Sequence, residues 1–173
     1  RNRLLWHDPS VDGIKTGHTD EAGFCLVSSA VRKGTRLIAV VLGSPTENAR
    51  TEDSQHLLDY GFRFFETTLF YPANSQLSQI RTWLGQSAQT PVGLDKPFVV
   101  SHLVGQRKNI KIELQLPKHL KAPILKGQQV GTMTASFNKQ IVEKASLVAL
   151  SDNPTGPFWR RWYDRLLMFF SKD

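Results

Sequence analysis

One cysteine, Cys25, is all that these 173 residues contain. An internal disulfide is therefore excluded, and the apolar setting Phe24-Cys25-Leu26-Val27 predicts a buried structural thiol. A lone thiol leaves the redox compartment open. No run approaches the ~18 uninterrupted apolar residues of a membrane-spanning helix, so none is expected. The first residues, Arg1-Asn2-Arg3-Leu4-Leu5-Trp6, do not have the form of a signal peptide, so export would need a leader that this sequence does not show. His7, His56, His102 and His119 fall in no H-x-x-x-H or cysteine-paired spacing, and neither a metal nor an organic cofactor is expected. Internal repeats and low-complexity tracts are missing too. Acidic residues are the minority charge, with 22 Lys+Arg against 15 Asp+Glu and a formal net charge of +7. The resulting pI near 9.8 favours anionic partners such as phospholipid, nucleic acid or cell-wall polymer without choosing among them. A nucleic-acid binder would interleave basic residues with exposed aromatics in its folded zones; only the C-terminal tail does so, and nucleic acid is set aside.

What is present suffices for a core, since 40% of the residues are hydrophobic. Composition divides the chain into residues 1–70, 71–153 and 154–173. In the first zone, strands are predicted over 11–16, 24–30 and 36–42, joined by turns at Ala22-Gly23 and Lys33-Gly34, which makes an antiparallel meander. Ser44-Pro45-Thr46-Glu47 has the form of a capping box, and Leu57, Leu58, Gly61, Phe64 and Phe65 recur at helical spacing behind it. A helix over about 45–66 is expected to cover one face of the sheet. The second zone reads as all β, with strands over 98–101, 110–116, 129–137 and 141–150. The strict alternation of Ile110-Lys-Ile-Glu-Leu-Gln-Leu116 predicts one buried and one wet face, as in a small antiparallel sandwich or barrel. The third zone follows a proline and glycine hinge. On a helix, Phe158, Trp159, Trp162, Leu166, Phe169 and Phe170 share a face, while Arg160, Arg161, Asp164, Arg165 and Lys172 fall largely outside it. Aromatics at headgroup depth and cations toward lipid phosphates are the pattern of a helix lying in a membrane interface. The alternative is a helix packed on the β zone or on another subunit.

Lys15-Thr16-Gly17 ends the first predicted strand. A K-[ST]-G tripeptide arises by chance in roughly one chain in ten of this length. Its chemistry is nonetheless specific on an edge strand. A peptide can add alongside, glycine allows close approach, the threonine hydroxyl can hold a carboxylate, and the lysine supplies a fixed positive charge. The backbone N–H of His18 can face a developing oxyanion.

The segments VDGIKTGHTDEAG (11–23), RLIAVVLG (36–43), LLDYGFRFFE (57–66) and LKAPILKGQQVG (120–131) resemble the low-molecular-mass penicillin-binding proteins of the 5 and 6 type, which are D-alanyl-D-alanine carboxypeptidases of the bacterial periplasm. The resemblance runs along essentially the whole chain but matches only the C-terminal part of such a protein. It implies an α+β remnant of a penicillin-binding, β-lactamase-like transpeptidase domain, an all-β domain and a C-terminal amphipathic anchor helix. In that family a serine attacks the penultimate D-alanine of the peptidoglycan stem peptide, and water hydrolyses the acyl-enzyme. By motif, Lys15 would sit beside the S-x-N serine, Thr16 would bind the terminal carboxylate, Gly17 would admit the peptide and the His18 amide would complete the oxyanion hole. Arg1 resembles an arginine that helps hold the carboxylate. The implied partners are stem peptide, β-lactam antibiotics and, through Phe158, Trp159, Arg160, Arg161, Trp162, Arg165, Leu166, Phe169 and Phe170, the periplasmic face of the inner membrane.

Two further matches, Ser136-Phe137-Asn138-Lys139 and Ser151-Asp152-Asn153, imitate the family's S-x-x-K and S-D-N elements. Both follow K-T-G, whereas the family places them before it. The first reads as a turn between strands and the second as the opening of the hinge. The serine nucleophile, its lysine and the S-x-N loop are thus expected upstream of Arg1. As a fragment the chain is expected to hydrolyse nothing. The competing reading is a catalytically dead, membrane-attached β module with a binding role at the cell wall. A class A β-lactamase piece would share K-T-G but not the β domain and anchor.

Overall fold

Two tight turns set the first sheet. At Lys33 and Gly34, φ is +50° and +79°, the geometry of a two-residue hairpin loop whose twist suits the flanking strands. They join β2 (Gly23–Arg32) to β3 (Thr35–Ser44), and a turn at residues 20–22 joins β1 (Val11–Thr19) to β2. The order β1-β2-β3 is an antiparallel meander, with every strand longer than its hydrophobic run. A short helix, α1 (Leu4–His7), precedes it. The computed structural model describes residues 1–170, with no side-chain description for Phe169 and Phe170.

Helix α2 (Glu47–Phe64) begins later than the apparent capping box implies. Thr46 is the N-cap: its backbone is extended and its hydroxyl accepts the Ala49 N–H at 3.1 Å. Ser44 instead closes β3, where its hydroxyl donates to Asp53. The stripe that α2 buries also differs from the apolar spacing. Leu57, Phe64 and Phe65 are exposed, and the buried positions are Arg50, Ser54 and Leu58. One turn on, Gly61 packs against Leu37, whose side-chain end would have to shift to admit a Cβ there. The core on this side gathers Leu4, Val11, Leu26, Ala30, Ala39 and Leu58.

The chain forms two compact units, the first comprising Arg1–Thr67 and Ser101–Arg107, the second Thr68–Val100 and the chain from Lys108. Strands β4 (Phe65–Tyr71) and β7 (Phe98–Leu103) pair as a ribbon, each contributing residues to both units. The second unit is built on a six-stranded sheet. Its strands are β5 (Gln76–Trp83), β6 (Gln89–Gly93), β8 (Lys111–Gln115), β9 (His119–Lys121), β10 (Gln129–Phe137) and β11 (Gln140–Ala149), in the order β8-β10-β11-β6-β5-β9. All neighbours are antiparallel except β5 and β9, which run parallel. Ile80, Val92, Phe98, Val100, Met133 and Leu147 anchor its core. The alternation of residues 110–116 does not give a fully buried face: β8 is an edge strand, and Leu114 is 42% exposed.

The two imitations of catalytic motifs are structural. Asn138 and Lys139, both at positive φ, form the β10–β11 turn. The predicted hinge is not free. Asn153 bridges to Ile124 and Thr155 to Gly85, while Leu84 O accepts the Gly156 N–H at 2.8 Å. From this tied segment rises α3 (Phe158–Phe170).

Candidate functional site

Strand β1 pairs with β2 on one side only, so its other edge has no strand partner among the described residues. Lys15, Thr16, Gly17 and His18 lie in register opposite Val27, Leu26, Cys25 and Phe24. Side chains alternate between the two faces of a strand. Lys15 and Gly17 therefore share the face away from α2 with Val27, Ile38, Val40 and Leu42. On that face Ile38, Val40 and Leu42 are exposed, so an apolar sheet surface lies open beside the K-T-G edge. The Lys15 ammonium donates to the carbonyl of Thr16 at 2.9 Å and stays exposed. A Cβ at Gly17 would meet only the Cys25 Cβ, at 3.9 Å, an ordinary contact. The fold itself does not demand glycine there. Cys25 is half-buried rather than buried, because its strand position points to this open face.

Behind the edge sits a residue that motif reading missed. Arg50, only 4% exposed, donates to the Gly17 carbonyl at 3.3 Å and to Glu47 at 2.8 Å. Its guanidinium also lies over the Phe24 ring, which stacks on His18 with ring centroids 4.0 Å apart. The Arg50 Nε is buried without a hydrogen-bond partner among the described residues. A buried cation reaching a strand carbonyl holds the backbone of the K-T-G segment of β1 in place. The available signal was weak: an arginine four residues after Thr46 reads as a solvated helix position until the sheet is seen beneath it. Arg1 is not drawn to the tripeptide; its side chain is exposed, and its α-amino group lies 3.7 Å from Glu47.

A separate cluster shapes the start of the strand. The Asp8 carboxylate accepts from Ser10, Gln55 and Arg32. Burial pushes its pKa up, but the bonds from Ser10, Gln55 and Arg32 prevail and hold it well below the usual carboxylate range. The same arginine reaches Asp59 at 2.7 Å, tying β2 to α2. Among the described residues no three His, Cys, Asp or Glu side chains gather to hold a metal ion.

On α3 the polar side faces the β sheet. Asp164, buried, accepts the Leu84 N–H at 2.7 Å, and Arg160 donates to the Gln86 carbonyl at 3.1 Å. Phe158, Trp159, Trp162, Tyr163 and Leu166 face solvent, with Trp159 74% exposed, and Arg161 and Arg165 are exposed beside them. The side chains of Phe169 and Phe170 lie outside the described residues, as does Lys172. No helix among the described residues is long and apolar enough to cross a membrane.

Known proteins match both units. The family described as penicillin-binding protein 5, C-terminal domain, matches residues 65–155, and the D-alanyl-D-alanine carboxypeptidase family matches residues 1–46. The D-alanyl-D-alanine carboxypeptidase DacC of Escherichia coli (strain K12) is 39% identical over 172 residues, covering 98% of this chain and 43% of its own length. DacA of the same strain is 38% identical over the same span. Among solved structures, penicillin-binding protein 5 from Haemophilus influenzae aligns with a TM-score of 0.80 at 35% identity, covering 88% of this chain and 45% of that one. The chain thus spans less than half the length of these relatives. With one domain family matched over more than half its residues, and relatives aligned along nearly all of it, the chain belongs to the penicillin-binding protein 5 family.

Proposed function

We propose that this chain supplies one wall of the active site of a serine-type D-alanyl-D-alanine carboxypeptidase, the remainder of which lies outside these 173 residues. The observation that carries the reading is the K-T-G sequence on an unpaired strand edge, beside an open apolar sheet face. In this reading the stem peptide adds along β1. The Thr16 hydroxyl donates to its terminal carboxylate. Lys15 sets positive charge beside the S-x-N serine, and the His18 N–H binds the oxyanion formed when the nucleophilic serine attacks. The Ile38–Val40–Leu42 face is where the nucleophile-bearing half would pack. β-Lactams would acylate the same serine.

The test is a chimera in which the S-x-x-K and S-x-N half of the Haemophilus influenzae relative precedes Arg1. It is expected to bind fluorescent penicillin covalently and to release D-alanine from a D-Ala-D-Ala peptide, and Thr16→Ala is expected to lower release by about 10²-fold or more. The chain alone is expected to take no label. A chimera that melts cooperatively yet neither labels nor releases D-alanine would refute the enzyme reading in favour of a catalytically dead β module.

We further propose that α3 is an amphipathic anchor holding the protein peripherally on the periplasmic face of the bacterial inner membrane. The docking of its polar side through Asp164 and Arg160 supports this, because it leaves the aromatic side toward solvent, with cations beside it. Flotation with anionic liposomes should be lost on deletion from Phe158 onward. The cut belongs there and not at 154, since the preceding residues are part of the β unit. Equal flotation of both forms would remove the anchor.

A further inference from the structure

The six-stranded sheet ends in two edges of different character. At one end β9 has only three residues, pairs in parallel, and is flanked by Pro117 and Pro123. Shortness and nearby prolines are ordinary ways of blunting an edge against further pairing. At the other end β8 runs for five residues in unbroken register with β10, from Lys111 opposite Ser136 to Gln115 opposite Thr132, with no bulge and no proline. It has no second strand partner among the described residues. Lys111 and Glu113 are exposed on one face and have no ion-pair partner among the described residues, while Leu114 stands exposed on the other.

We propose that β8 pairs edge to edge with β8 of a second copy of this chain, antiparallel about a two-fold axis through Ile112. A two-fold axis normal to the sheet keeps each face on its own side, so residues pair only with others of the same face. That restriction lets charge choose the register. An axis at Lys111 sets two lysines opposite each other, and an axis at Glu113 sets two glutamates opposite each other. Centring at Ile112 places each Lys111 opposite Glu113 of the second copy, giving two opposite-charge pairs. It also sets Ile112 against its own counterpart and Leu114 against Ile110 of the second copy. Axes farther along shorten the ribbon and leave Lys111 unmatched. A five-residue ribbon is small, so the association is of the weak class and concentration-dependent.

The experiment is sedimentation velocity on the whole chain over a concentration series, in mild non-ionic detergent so that the α3 aromatics are covered. Wild type is expected to dimerise, more weakly at high salt. Glu113→Lys and Lys111→Glu each turn both attractive pairs into like-charge pairs and should raise the dissociation constant about tenfold or more. The double variant Lys111→Glu/Glu113→Lys restores opposite charges and should regain the dimer. Both positions are exposed, and thermal melts check that folding is unchanged; either single variant carries the test if the other is destabilised. A chain monomeric throughout, a dimer indifferent to the single changes, or a double variant that stays dissociated would each overturn the proposal.

Discussion

Asn153, 2% exposed, is expected to be among the most costly polar side chains to lose in the second unit. Its carbonyl oxygen accepts the Ser87 N–H at 2.9 Å, and its amide donates to the Ser87 carbonyl and to the Thr90 hydroxyl, each at 3.0 Å. Asn153→Ala removes all three bonds. Thr90 keeps its bond to Thr82 at 2.7 Å, and Ser87 is exposed enough to turn to water. No further penalty for stranded groups is therefore added. At a net ~1 kcal/mol per bond, the loss is about 3 kcal/mol. For a unit of this size that corresponds to a fall in Tm of roughly 10–20 °C. Scanning calorimetry of the whole chain should show the transition of the second unit moving by that amount, while the first unit's transition stays in place. Because Asn153 fixes the approach to α3, limited proteolysis near residue 157 should accelerate in parallel. A fall below about 4 °C would show that the three bonds are not worth what their burial implies.

Other outcomes follow from single contacts. The depressed Asp8 carboxyl contributes stability that is complete above its unfolded pKa near ~4 and is lost as the pH falls toward its folded value. Asp8→Asn should therefore flatten the acid limb of the stability curve below about pH 4, and parallel limbs in the two proteins would count against the cluster. At Gly93 a Cβ would run into the Ser75 backbone carbonyl, so Gly93→Ala should cost about 3 kcal/mol by urea denaturation; an unchanged midpoint would contradict the packing. Arg50→Met should leave global stability within about 1 kcal/mol, because the lost bonds are offset by the relieved burial of the guanidinium and because Glu47, one-third exposed, keeps Arg3 and the N-terminal ammonium as partners and is not left as a stranded charge. Amide exchange at the end of β1 should nonetheless quicken several-fold, and unaltered exchange there would argue against Arg50 as the group that holds the Gly17 carbonyl.

Much of the architecture was readable because its causes are local. Lys33-Gly34 announces a hairpin through its backbone preference, and Asn138-Lys139 does the same between β10 and β11. The parallel pairing of β5 with β9 was not readable, since it joins segments with no shared turn and carries no local signature. The start of α2 lies two residues beyond the one the sequence announces, because Ser44 and Thr46 are both good caps. Which of them bonds the helix depends on where β3 stops. At the candidate site, Lys15, Thr16 and Gly17 could be picked out by motif, while Arg50 could not, since a buried arginine looks like any exposed helical one until its partner carbonyl is placed.

By itself the sequence determined the mostly β character, the tripeptide on a strand and the two hairpin turns. Each depends on periodicity or on the conformational preferences of neighbouring residues. Only the tertiary structure decided that β1 has an open edge, that a buried guanidinium holds its carbonyl, that the hinge is stitched to the sheet through Asn153, and that α3 turns its polar side inward. Those features join residues 33 to 80 positions apart. Exposure and hydrogen-bond partnership at such separations are set by how the elements pack, which local sequence does not encode.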